Sequence, residues 1–201
     1  SSIGIFVEAL NQSVHSFEVT CCDISEDACQ KLSNLYPSVE VINADYRNLN
    51  AKNTYDIVTM WDTVEHIVNQ NELLRSIKNI LNDNGFFFFS TPNTNSFEWA
   101  IADTAHVQLL PPGHVNLMNE KNISILLEKN GFDLRGAFTL NPSLDIDYIK
   151  KLSKENSTVY ARLGSFLGNK LENDQFRKGF ESLLRNEKLA GNIVVAAQKK
   201  F

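Results

Sequence analysis

One stretch constrains this chain more than any other: Tyr55-Asp56-Ile57-Val58-Thr59-Met60-Trp61-Asp62-Thr63-Val64-Glu65-His66. Its first half is a short apolar run rich in β-branched residues, the pattern of a buried strand. Its second half turns abruptly polar, with Asp62, Thr63, Glu65 and His66 close together. In an open parallel sheet, ligands sit just outside the carboxyl ends of the strands. The turn after this strand is therefore a candidate site; a polar loop leading to a helix cap is the simpler alternative.

The flanking sequence supplies the rest of a strand–helix alternation. Ile3, Phe6, Val7 and Leu10 share a helical face by their i, i+3, i+4 spacing. No strand precedes that helix, so a chain truncated at its N-terminus is expected. Glu18 to Asp23 reads as a strand ending in an acid. Ser25 is a candidate N-cap for a helix to about Tyr36, with Glu26 and Asp27 in the dipole-favoured first turn. Val39–Ile42 is a third short strand, followed by Asn43-Ala44-Asp45. After the central stretch comes an amphipathic helix from Asn71 to Leu81, ended by Asn84-Gly85. Phe86-Phe87-Phe88-Phe89 reads as a central strand covered on both faces, terminated by Ser90-Thr91-Pro92-Asn93.

Residues 94–118 form a long connection containing His106, Pro111, Pro112, Gly113 and His114, and connections of that length are usually functional. Asn119 caps a helix that Gly131 ends, Phe132 to Leu140 is strand-like, and residues 191–197 are a last strand. The pattern predicts an α/β fold with a doubly wound, mostly parallel sheet. Residues 1–142 and 189–201 form its core, and residues 143–188 are a helical insertion serving as a substrate cap or a dimer surface.

Composition removes several functional classes. A net charge of −5 without a clustered Lys/Arg block disfavours a large nucleic-acid footprint. No apolar segment is long enough to span a bilayer, and no signal peptide is visible. Cys21, Cys22 and Cys29 form no CxxC pair, so reduced, packed thiols in a cytoplasmic protein are expected.

Taken together, the pieces resemble a class I S-adenosylmethionine-dependent methyltransferase of the broad small-molecule group. They are Gly4 before a helix, Val19 to Ser25, Asn43-Ala44-Asp45, Tyr55 through His66, Leu81 to Phe86, Ser90-Thr91-Pro92-Asn93, His114 before a helix, and Asn130-Gly131-Phe132. The resemblance covers residues 1 to about 140 and the final strand. It implies a Rossmann-like sheet whose last strand is antiparallel and inserted beside the fifth, here with the first strand missing. It also implies S-adenosylmethionine as cofactor, with Gly4, Asp23, Ile24, Asp45, Tyr46, Trp61 and Asp62 on the cofactor side. Asp23 would accept hydrogen bonds from the ribose hydroxyls, or else cap its helix. Asp45 would take the adenine amino group with Tyr46 beside the ring, or else form a local turn. Trp61 would lie near the methionine part and attract the sulfonium, or else fill the core.

Asp62, Glu65 and His66, at i, i+3 and i+4, are expected on one face of a turn or helix start. Some metal-assisted family members, on ubiquinone precursors and on small RNA, resemble this stretch with acid-x-x-Glu-His. A metal-free role in positioning cofactor and acceptor is expected here, with no metal ligands assigned. His66 is the candidate general base, because a neutral imidazole can take a proton near neutral pH. His114 is the second candidate catalytic residue, reaching the acceptor from the long connection. The resulting expectation is a methyltransferase acting on a hydroxyl or amine of a small molecule, a sugar among the classes considered, with a homodimer as one possible assembly. A methyltransferase-like binding module or inactive fragment, and a metal-assisted RNA 2′-O-methyltransferase, remain alternatives.

Overall fold

The described residues form six strands in two hydrogen-bonded sheets, the first two strands paired and the other four in the order third, fourth, sixth, fifth. They are β1 (Thr20–Asp23), β2 (Glu40–Asn43), β3 (Tyr55–Met60), β4 (Leu81–Pro92), β5 (Phe132–Thr139) and β6 (Asn192–Lys199). The computed structural model describes residues 4–13, 15–49, 54–109, 111–139, 147, 150–151 and 159–200. β1 pairs parallel with β2, and β3 with β4. β6 lies between β4 and β5 and is antiparallel to both, as the resemblance implied. Among the described strands no ladder joins β1–β2 to β3.

The helices are α1 (Ile5–Asn11), α2 (Glu26–Leu35), α3 (Gln70–Ile80), α4 (Phe97–Ala102), α5 (Glu120–Lys129), α6 (Val159–Lys170) and α7 (Asp174–Asn186). Local chemistry sets most of their starts. The side chains of Ser25, Asn69, Ser96, Asn119 and Asn173 each accept from a backbone N–H in the first turn. Each such cap contributes about 1 kcal/mol. Gly131, at φ 77°, turns the chain out of α5 into β5 where a side chain would be strained.

β4 departs from the expectation of a strand covered on both faces. Phe87 and Phe89 are buried among Leu73, Leu74 and Ile77 of α3, Ile123 and Leu127 of α5, and Val195 of β6. Burying a phenylalanine there stabilises the fold by about 1.5–3 kcal/mol. Phe86 and Phe88 face the other way, stack on each other at 5.8 Å and stay half-buried. β4 also starts earlier than Phe86, because Leu81 already pairs with Tyr55. The register then jumps to Ile57–Phe86, and Asn84 at φ 63° lies within that irregularity.

The long connection has its own structure. Ser96 starts α4, and Ile101 and Ala102 of that helix bury against Leu171 and Leu184 at the ends of α6 and α7. Phe97 meets Phe180 edge-on at 5.0 Å. The two described helices of the 143–188 segment thus pack on the connection. Of the expected insertion, residues 143–146, 148–149 and 152–158 lie outside the described residues.

Candidate active site

The carboxyl ends of β1, β2 and β3 carry the residues expected on the cofactor side. Gly4 is the N-cap of α1 at φ 70°, and a Cβ there would stand 2.7 Å from Cε2 of Tyr36. Glycine is required twice over, by backbone conformation and by the approach of the ring. Asp23 ends β1, and its Oδ1 accepts from the N–H of Ser25, so its carboxylate closes a turn at the strand end. Asn43 at the end of β2 donates to the carbonyls of Asp23 and Ile24, tying the two strand ends together. Ile24 is largely exposed at this edge.

Asp45 already has a partner. Its oxygens accept from Nε and Nη2 of Arg47, at 2.9 and 2.5 Å, and from the Arg47 N–H. The Arg47 side chain holds this carboxyl down at about pKa 2. Asp45 also caps the 3-10 turn Tyr46–Asn48, which is the alternative weighed for it from sequence. Tyr46 packs against the main core with Arg47 over its ring.

Trp61 follows β3 directly, and Phe6 of α1 meets its ring at 5.2 Å. Its indole Nε1 is buried and, among the described residues, has no hydrogen-bond partner. Buried polar atoms are rarely left unpaired, so this N–H points to a polar ligand or water. The unpaired indole and the glycine cradle both fit a nucleotide-type cofactor bound across the ends of β1 to β3.

Asp62 does not join Glu65 and His66 on one face, contrary to the expectation from spacing. The backbone is not helical there: Asp62 sits at φ 47° and Thr63 at φ −135°. Asp62 instead accepts from Ser90 Oγ and Asn192 Nδ2, while its N–H donates to Ser90 Oγ. This locks the end of β3 to β4 and β6.

The place expected for Asp62 is taken by His114. One ligand atom each from Glu65, His66 and His114 lie within 4.8 Å of one another. Glu65 is only 2% exposed, and its Oε2 has no hydrogen-bond partner among the described residues. Burial pushes its carboxyl above the usual range. His66 Nδ1 lies 2.8 Å from the carbonyl of Gly113, and His114 Nδ1 lies 2.9 Å from that of Gln108. A carbonyl only accepts, so both Nδ1 atoms carry the proton and each neutral ring keeps an Nε2 lone pair. His66 Nε2 stands 3.9 Å from Glu65 Oε1.

The long connection makes this cluster by folding back on the 64–67 turn. The N–H groups of Val115 and Asn116 both donate to the carbonyl of Glu65, and Asn116 Nδ2 donates to that of Ile67. His106 takes no part; it is buried, stacks on Trp99 at 4.3 Å and is shifted by burial towards its neutral form. Sequence reasoning missed the pairing of Glu65 with His114 across the connection, and the roles of Ser90, Asn116 and Asn192. The acid-x-x-Glu-His run followed by a Pro-Gly-His was the available signal.

A Rossmann-like sheet with acids, a glycine turn and an indole at its strand ends defines a nucleotide-cofactor enzyme fold. The comparisons narrow this: residues 1–136 match the methyltransferase domain, and the chain belongs to that family. S-adenosylmethionine is the cofactor of the family. The chain is 32% identical over 120 residues to the ubiquinone biosynthesis O-methyltransferase of Bordetella avium, covering 55% of this chain and 48% of that protein. It spans about half the length of the curated relatives it matches. Among solved structures, it resembles an S-adenosylmethionine-dependent methyltransferase of Archaeoglobus fulgidus, with TM-score 0.59 at 18% identity over 98% of this chain and 82% of the other. It also resembles the plantazolicin methyltransferase BpumL in complex with an analogue and SAH, with TM-score 0.61 at 14% identity over 100% and 74%. These likenesses establish the fold. No described helix is long and apolar enough to cross a membrane.

Proposed function

We propose that the protein transfers a methyl group from S-adenosylmethionine to a hydroxyl or amine of a small molecule in the cytoplasm. The observation that carries this reading is the pair of imidazoles facing buried Glu65 next to the end of β3. Bound S-adenosylmethionine supplies an electrophilic methyl on a sulfonium. Gly4, Asp23, Ile24, Trp61 and Asp62 would hold it, with Asp45 and Tyr46 at the adenine end once Arg47 yields the carboxylate. His66, with Nδ1 fixed on Gly113, takes the acceptor proton at Nε2, and Glu65 beside it stabilises the imidazolium. His114 sits against the His66 ring at 4.8 Å and shapes the acceptor side. The name of the Bordetella relative, an O-methyltransferase, supports a hydroxyl acceptor over an amine. The helices of the 143–188 segment, packed on α4, would cap the acceptor.

A second reading has its own support. Two imidazoles with Nδ1 fixed on carbonyls and a buried carboxylate with an unpaired oxygen are a donor set suited to a divalent transition ion. Glu65, His66 and His114 would be its ligands, and they would orient the acceptor oxygen through it. Calorimetric titration of the full-length protein with SAH, with and without chelator, tests both readings. Binding weakened at least tenfold by Asp23→Ala is expected, and unchanged affinity would remove the cofactor site. Methyl transfer that survives chelator supports His66 as base; transfer lost with chelator and restored by added metal moves the second reading to the front.

A further inference from the structure

A cleft of about 600 Å³ opens between the N-terminal turns of α3 and α5, and two of its lining residues, Gln70 and Asn116, donate to the carbonyl of Ile67 in the neighbouring turn. None of the residues lining it is charged. Its polar wall consists of five carboxamides: Asn69, Gln70, Asn71, Asn116 and Asn122. Each commits one end to the fold. Asn69 Oδ1 accepts from the N–H of Glu72, Asn122 Oδ1 from that of Asn119, and Asn71 Oδ1 from Asn130 Nδ2. Gln70 Nε2 donates to the carbonyls of Val64 and Ile67, and Asn116 Nδ2 to that of Ile67.

The other ends, Nδ2 of Asn69, Asn71 and Asn122, Oε1 of Gln70 and Oδ1 of Asn116, make no hydrogen bond among the described residues. The cleft therefore presents three amide donors, on Asn69, Asn71 and Asn122, and two amide acceptors, on Gln70 and Asn116. Leu117, Met118 and Leu126 supply apolar surface, and Val68 stands at the rim, 80% exposed.

A hydroxyl both donates and accepts, so a row of hydroxyls can satisfy donors and acceptors in one wall. An anion would meet the two amide oxygens and a cation the three NH2 groups, and no lining residue carries a charge to pair with either. The apolar patch suits the C–H face of a saturated ring. The volume lies within the range of small-molecule sites. We propose that this cleft binds an uncharged, polyhydroxylated ring, a glycosyl or cyclitol group. The site does not rest on the methyl-transfer reading. It does adjoin that site, since Gln70 and Asn116 hold the backbone on either side of Glu65 and His66.

The test is a titration of 15N-labelled full-length protein with glucose, galactose and myo-inositol, followed on side-chain amide resonances. Glucuronate and glucosamine serve as charged counterparts. The variant carries Asn71→Asp and Asn122→Asp, which keep the acceptors used by Asn130 and Asn119 and place carboxylates where helix dipoles favour them. Saturable shifts of the cleft amides with at least one neutral ring are expected, weakened at least tenfold in the variant and unaffected by Asp23→Ala. If a methyl glycoside binds no better than the free sugar, the ligand is a free ring; tighter binding indicates a glycosyl part of a larger molecule. Absence of saturable shifts with every neutral ring, equal binding of the charged rings, or unchanged binding in the variant would overturn the proposal.

Discussion

Asn93 gives the sharpest test of how the site is held. It is 2% exposed, and its side chain donates to the carbonyls of Lys188 and Ala190 at 3.1 Å and accepts from the N–H of Asn95 at 3.0 Å. Its own N–H donates to the carbonyl of Gly191. These bonds fix the entry of β6, whose first residue, Asn192, holds Asp62. Asn93→Ala removes three side-chain hydrogen bonds and leaves the two carbonyls without this donor. At about 1 kcal/mol for each bond, the loss is about 3 kcal/mol. For a domain of this size that corresponds to a fall in Tm of about 6–12 °C. Asn93→Asp should be worse, because it sets a buried carboxylate against two carbonyl oxygens. Asn95→Ala, at an exposed neighbour that contributes only its backbone N–H, should stay within about 0.5 kcal/mol. Thermal unfolding followed by circular dichroism measures all three. A loss below about 1 kcal/mol in Asn93→Ala, with methyl transfer abolished, would refute the structural role and make Asn93 an acceptor-binding residue instead.

Two further outcomes follow from the electrostatics. Burial raises the Glu65 pKa, so the stability tied to its protonated form is present below the unfolded value and lost as pH rises through the folded one. Glu65→Gln should therefore unfold at higher temperature than the parent at pH 8 in chelator and at the same temperature at pH 4; a difference independent of pH would contradict the buried charge. Arg47→Ala should return the Asp45 titration from about 2 towards its ordinary value of 3.8, measured by carboxyl NMR. Because the Arg47 side chain is more than half exposed and screened by solvent, stability at pH 7 should change little. If Asp45 takes the adenine amino group, SAH should bind at least as tightly to this variant; weaker binding would assign Arg47 itself to the cofactor.

The parts of the fold legible in the sequence are those written in local chemistry. Ser25 and Asn119 announce their helices because a side-chain acceptor followed by an apolar period has few other uses, and both cap as read. β3 and the Phe86–Phe89 run are recognisable from composition, although periodicity could not say which face of β4 would be better covered. α4 is not legible in the sequence, since six residues give too short a window for a 3.6-residue period. The place of β6 between β4 and β5 came from the family resemblance, because no local signal carries strand order.

The site divides along the same line. Spacing grouped Asp62 with Glu65 and His66 on the assumption that a helix starts at Asp62, but a left-handed residue followed by an extended one breaks the i, i+3, i+4 relation. Once it is broken, Asp62 belongs to the sheet end with Ser90 and Asn192. Glu65 is left with His66, and only a residue from elsewhere can complete the group. His114, 49 positions from Glu65, does so because the backbone of Val115 and Asn116 docks on the Glu65 carbonyl. One pair of main-chain hydrogen bonds therefore helps bring the second imidazole to Glu65 and His66, and loop dockings of that kind leave no periodic trace in a sequence. The same segment, through Asn116, also lines the neighbouring cleft, so one stretch of the connection borders both the Glu65–His66–His114 group and that cleft.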